Sequence, residues 1–182
     1  MVFMPNDDAL EAQCKQILEQ VCAKEGVKVV GWRKVPVNHD IVGRFAKVTE
    51  PRIWQVLIEG KSGQVGDELE RELFLVRKLV EKAKNAALPA EFAPDFYICT
   101  LSSRTIVYKG MLRSAVVGTF FRDLENPDFE SAFAIYHRRF STNTTPKWPL
   151  AQPMRVLGHN GERHANEACI ACEWVGLLVG GQ

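Results

Sequence analysis

Apolar side chains return every three or four positions between Leu10 and Cys22. Leu10, Cys14, Ile17, Leu18, Val21 and Cys22 therefore share one face of a helix. Asn6 or Asp7 is placed to cap it, and Asp8 and Glu11 suit its first turn. Gly26 is a natural stop. A second stripe of Leu69, Leu73, Val76, Val80 and Ala83 predicts a helix from Asp67 to about Ala86, with Arg71 and Glu72 on its solvent side. Between the two, Val27–Trp32 and the alternating run Arg52–Glu59 read as strands. Pro36 and Asn38-His39-Asp40 mark a loop, and Gly60–Gln64 marks a loop tip. Phe96–Leu101 and Thr105–Lys109 bracket the polar Ser102-Ser103-Arg104, which predicts a hairpin ended by Gly110. A short helix is expected over Arg113–Phe120, and a strand over Ser131–Phe140 that enters a polar loop at Ser141. Helices and strands mixed in this order predict an α+β layer arrangement.

The chain has 182 residues, 46% of them hydrophobic and 25% charged. It is long enough for one domain with a sizeable core, which excludes a disordered tail, a collagen-like repeat and a disulfide-dependent miniprotein. Twenty-three cations against 22 anions, a net charge of +1, give no electrostatic case for nucleic acid or an anionic membrane. No apolar run reaches the length of a membrane-spanning helix, and nothing at the start resembles a secretory signal. The five cysteines, at positions 14, 22, 99, 169 and 172, are odd in number and irregular in spacing, as suits thiols in a reducing compartment. Cys14 and Cys22 belong to the first apolar stripe and read as packing residues.

Two segments carry candidate chemistry. His137-Arg138-Arg139-Phe140-Ser141-Thr142-Asn143-Thr144 brings cationic groups to a strand end and runs into hydroxyl and amide side chains. An arginine fork matches the two oxygens of a carboxylate, and neighbouring hydroxyls can hold an amino group. The same residues also fit a polar turn with surface arginines. Gly158-His159-Asn160-Gly161-Glu162 reads first as a hairpin tip, since most Asn-Gly pairs are only turns, and in a functional reading as an oxyanion hole. In the second case the Asn160 amide and the Gly161 backbone N–H would aim at one developing negative oxygen. Cys169-Ile170-Ala171-Cys172 lacks the second ligand pair of a structural zinc site, so a metal-binding tail is a weak option.

Gly31–Pro36, Phe96–Leu112, His137–Thr144, Trp148–Pro153 and Gly158–Glu162, taken in order and spacing, resemble the glutamine amidotransferase domain of the glutamate synthase large chain. The resemblance covers Met1 to Glu162. His137-Arg138-Arg139 with Pro146–Leu150 looks like the ferredoxin-dependent branch. It implies an N-terminal-nucleophile hydrolase with an αββα sandwich, here incomplete at both ends. It implies hydrolysis of glutamine, with ammonia passed on to make glutamate from 2-oxoglutarate. The substrate would be held by Arg139 on its α-carboxylate and by Thr142. Asn160 and Gly161 would form the oxyanion hole, with His137, Ser141 and Asn143 in support. The resemblance implies no cofactor on this chain. FMN and an iron–sulfur cluster would belong to the full-length enzyme, as would ferredoxin and the remainder of the chain as partners. It places the protein in a plastid or in a cyanobacterial cytoplasm.

Two departures set further expectations. The family's nucleophilic cysteine would precede Met1, so the chain is expected to lack the attacking group and to be inactive alone. The alternative is a non-catalytic module that keeps a glutamine pocket. After Glu162 the resemblance stops abruptly, so residues 163–182 are expected to be a divergent tail, frame-shifted or disordered, following a partial amidotransferase domain over 1–162.

Overall fold

The computed structural model of the chain describes residues 1–137 and 145–152. It divides into two compact units, Met1–Val35 with Pro51–Ser103 and Pro36–Glu50 with Arg104–Gln182.

The first unit is a four-stranded antiparallel sheet with two long helices. The strands are β1 (Val2–Met4), β2 (Lys28–Lys34), β3 (Arg52–Glu59) and β4 (Tyr97–Ile98), in the order β2-β3-β1-β4. The helices are α1 (Asp8–Glu25) and α3 (Gly66–Ala87), with the short α2 (Arg44–Val48) falling between them in sequence. α1 begins as the sequence predicts: Asp7 Oδ1 accepts from the Leu10 amide at 2.9 Å. It ends at Gly26, whose φ of +78° is a left-handed cap that a side chain would strain. Cys14, Ile17, Leu18, Val21 and Cys22 are its buried face, and Leu73, Val76 and Val80 are that of α3. They share one core with Val2 and Met4 of β1 and Ile98 of β4, and Trp32, Trp54 and Val56 pack against it. The register explains this grouping, since Val2 lies opposite both Trp54 and Ile98 and Trp32 lies opposite Val56. Cross-strand partners point to the same face. A bulge between Val29 and Gly31 shifts the β2 register.

The acidic first turn of α1 reaches the sheet. Arg52 Nη1 lies 3.0 Å from Glu11 Oε2 and also pairs with Asp8. Lys15 pairs with Glu11 at 2.7 Å and sits 3.3 Å from the centre of the Trp54 ring. Burial pushes the Glu11 carboxyl up, but its bonds to Lys15 and Arg52 outweigh that and hold it below the ordinary carboxylate value.

Three expectations are corrected in this unit and at its margin. β1 was not foreseen, because three apolar residues show no periodicity; it becomes a strand only by pairing on both sides. β4 has two residues rather than six. The amides of Cys99 and Thr100 both donate to the Met1 carbonyl, at 3.0 and 3.2 Å, so the ladder ends there. No hairpin forms, since residues 105–110 have no strand structure. Val107, Tyr108 and Lys109 are buried in succession, and burial on every side reads in sequence like a buried strand.

The second unit has little regular structure. α2 replaces part of the loop expected after Pro36, and α4 (Val117–Phe120), preceded by a 3₁₀ turn at Ser114–Val116, answers the short helix expected at 113–120. Further 3₁₀ turns lie at Arg122–Glu125 and Trp148–Leu150. The strand expected over Ser131–Phe140 is absent in its described part: residues 131–137 are irregular, and Phe133 and Tyr136 are exposed. The described residues therefore show one sheet and its helix layer.

Candidate functional site

Of the seven residues singled out for chemistry, the described structure places one. His137 is exposed at the end of the irregular segment 131–137. Arg139, Ser141, Thr142, Asn143, Asn160 and Gly161 lie outside the described residues, as do Cys169 and Cys172. What the second unit does show is the frame on either side of 138–144.

That frame is built on Trp148. Its indole Nε1 donates to the Ala46 carbonyl of α2 at 2.9 Å, a buried bond between positions 102 residues apart. Its ring stacks obliquely on Phe120, 5.8 Å between centroids. Phe120 in turn meets Phe121 edge-on at 4.7 Å, and Phe121 meets Tyr108 at 5.0 Å. Edge-to-face rings add to the area they bury. Gly110 is required at this junction: a Cβ there would come within 2.5 Å of the Trp148 ring. Tyr108 donates its hydroxyl to Asp123 Oδ2 at 3.1 Å. Beside it, Lys109 is only 3% exposed and donates from Nζ to the Pro149 carbonyl at 2.8 Å. The insert 36–50 is joined to the rest by backbone bonds from Asn38 N–H to the Phe120 carbonyl and from Arg122 N–H to the Pro36 carbonyl. Its own polar knot is Glu50, bridged by His39 Nδ1 at 2.7 Å and Lys47 Nζ at 2.9 Å.

Sequence reasoning passed over Lys109 because it ends an apolar run, where a lysine reads as the first solvent-facing residue. The signal available was its place between Tyr108 and Gly110, an aromatic and a glycine that both serve close packing.

The described thiols are packing residues, as the helical stripe predicts. Cys14, Cys22 and Cys99 are buried. Burial pushes the Cys14 thiol up to about 12 and the Cys22 thiol up to about 11. A thiol held protonated at neutral pH is a poor nucleophile.

The sequence as a whole matches the family model of class-II glutamine amidotransferases over residues 1–170. It is 52% identical over 162 residues to the chloroplastic ferredoxin-dependent glutamate synthase of Oryza sativa subsp. japonica, covering 89% of this chain and 10% of that protein. It is 51% identical, with the same coverage, to ferredoxin-dependent glutamate synthase 2 of Synechocystis sp.. To the NADPH glutamate synthase large chain of Azospirillum brasilense it is 47% identical over 163 residues. The chain thus spans about a tenth of the length of the curated relatives it matches.

Proposed function

The chain belongs to the class-II glutamine amidotransferases, and from that premise we propose that it is part of the glutaminase unit of a ferredoxin-dependent glutamate synthase. The observation that carries the proposal is the family match across 1–170 together with about half the residues shared with ferredoxin-dependent relatives. In that role the unit hydrolyses the side-chain amide of glutamine: water adds, ammonia leaves, and glutamate remains. Arg139 clamps the substrate α-carboxylate through two parallel N–H donors, and Thr142 holds the amino acid beside it. The Asn160 amide and Gly161 N–H stabilise the oxyanion as the carbonyl carbon becomes tetrahedral. His137, Ser141 and Asn143 act in support. The sheet and helix layer of the first unit are one β layer and one α layer of an αββα sandwich. Ammonia is passed to the rest of the synthase, which uses ferredoxin as its electron donor, in a plastid or a cyanobacterial cytoplasm.

Flavin and iron–sulfur chemistry belongs elsewhere in such a synthase. Cys14 and Cys22 share one helix eight positions apart, roughly 12 Å along its axis, and both thiols are buried and held protonated. That is no cradle for a cluster.

The same thiols favour a second reading for the chain on its own. Cys14 and Cys22 are not poised to attack, and they favour for the chain on its own a glutamine-binding module rather than a glutaminase. Two measurements on the purified chain test this. Calorimetry with glutamine is expected to show binding that Arg139→Ala abolishes, and a glutaminase assay is expected to show no steady release of glutamate. Release that Asn160→Ala eliminates would overturn the second reading. Absence of any glutamine binding would overturn the pocket.

A further inference from the structure

β2 is the last strand of its sheet, paired among the described residues on one side only, with β3. The ladder itself shows which of its backbone groups point outward. The Val35 amide, just past the strand, donates to the Ile53 carbonyl at 2.9 Å, so Val35 faces β3. Alternate residues of an antiparallel strand turn their N–H and C=O to opposite sides, which directs those of Lys34 and Trp32 away from the sheet. An edge of this kind is a template for one more strand. Beside it runs an open groove of about 540 Å³, lined by Glu19 and Ala23 of α1 and by Val27, Val29, Val30 and Trp32. Val30, at the bulge, is 59% exposed.

Charge decides what this edge accepts. The strand carries Lys28 at one end and Arg33 and Lys34 at the other. A second copy pairing antiparallel about Gly31 would set Lys28 opposite Lys34 at both ends, and like charges directly opposite destabilise a pair. The edge is thus guarded against its own kind, whereas a strand with acidic ends would meet a cation at each end. Lys28 lies 3.7 Å from Glu59, but both side chains are largely exposed, so that pair is weak and leaves the ammonium open to a further carboxylate. Glu19, the acidic member of the groove lining, accepts from the Trp32 indole at 2.7 Å.

We propose that the β2 edge binds an extended acidic peptide as an added strand. Its backbone bonds to Trp32 and Lys34, its apolar centre lies against Val30, and its terminal carboxylates meet Lys28 and Lys34. The main-chain bonds supply affinity, and the groove and the cations supply selectivity. This binding is independent of the glutaminase reading.

The test uses the full chain and two synthetic peptides of alternating valine and threonine, one ended by glutamates and the other by lysines. Fluorescence anisotropy is expected to show the glutamate-ended peptide bound about tenfold more tightly, with a preference that salt weakens. Hydrogen exchange is expected to slow at the Trp32 and Lys34 amides when that peptide binds, while Arg33 and Val35, already in the ladder, stay unchanged. Lys34→Glu should erase the preference for glutamate ends. Lys34→Pro removes an outward amide at a position where an edge strand tolerates proline, and should abolish binding with the exchange of α1 and α3 unaltered. Binding without slower exchange at Trp32 and Lys34 would overturn the edge as the site. Equal binding of both peptides, or binding of neither, would overturn the acidic partner. If those two amides are already protected in the chain alone and lose that protection on dilution, the occupant is a second copy and the proposal falls.

Discussion

In the first unit the buried residues Val2, Met4, Leu18, Val76 and Ile98 all lie on strands or long helices. In the second, Val107, Tyr108, Phe121 and Trp148 are just as buried but sit in turns and irregular backbone. The contrast shows two ways of stabilising a chain. Periodic elements spread burial over many equivalent side chains, and their hydrogen bonds close locally. An irregular segment has no ladder, so a few specific bonds and close approaches carry its shape. Trp148 to Ala46, Tyr108 to Asp123 and Lys109 to Pro149 are of that kind. The second kind of structure suits a binding loop, which must present particular atoms rather than a uniform face.

The sharpest way to break this comparison is to remove Trp148. Trp148→Ala deletes a fully buried ring and leaves the Ala46 carbonyl without its donor, and should cost about 3–5 kcal/mol by chemical denaturation. A cost near that of an exposed site would mean that the second unit does not depend on single residues. A milder probe is Gly110→Ala. With a Cβ 2.5 Å from the Trp148 ring, overpacking should cost roughly 1–3 kcal/mol. The matched change in the first unit, Gly31→Ala, meets nothing within 4 Å and should stay within about 0.5 kcal/mol. Equal costs at the two glycines would erase the distinction.

Alkali gives the gentlest test and acts on the first unit, where all the described cysteines lie. The folded chain holds the Cys14 and Cys22 protons to about 12 and about 11, against an ordinary value of 9.0. Their contribution to stability is therefore complete below about 9 and is lost as pH rises from there through the folded values. Unfolding at a series of pH values should show stability flat with respect to these thiols up to about 9, then falling. Alkylation of Cys14 and Cys22 should track unfolding rather than thiolate formation in the folded state. Rapid alkylation of the native chain at pH 8 would show the helix face to be open.

Much of the first unit was legible in advance because its signals are local. The α1 stripe, Asp7 and Gly26 delimit a helix without reference to anything distant, and the alternation in Arg52–Glu59 marks β3 in the same way. β1 was not legible, because three residues carry no period and its two neighbours come from positions 52–54 and 97–98. The expected hairpin failed for a related reason: the apolar run that ends in the buried Val107 and Tyr108 reports burial, not pairing. The candidate site divides similarly. Chemistry-bearing residue types at His137–Asn143 and Asn160-Gly161 stand out in the sequence, whereas Lys109 and Trp148 acquire a role only through partners 40 and 102 positions away.

The amino-acid order alone therefore determined the long helices, their caps and buried faces, the central strand β3, the inert character of the helical thiols and the family to which the chain belongs. These follow from interactions within a few residues or from motifs in register. Tertiary structure alone decided the sheet order β2-β3-β1-β4, the two-residue length of β4, the loss of the hairpin and the burial of Lys109. Each of those depends on which distant backbone or ring comes to lie alongside. Local propensity is silent on that choice, because the free energy that settles it comes from pairing and desolvation between segments far apart in the chain.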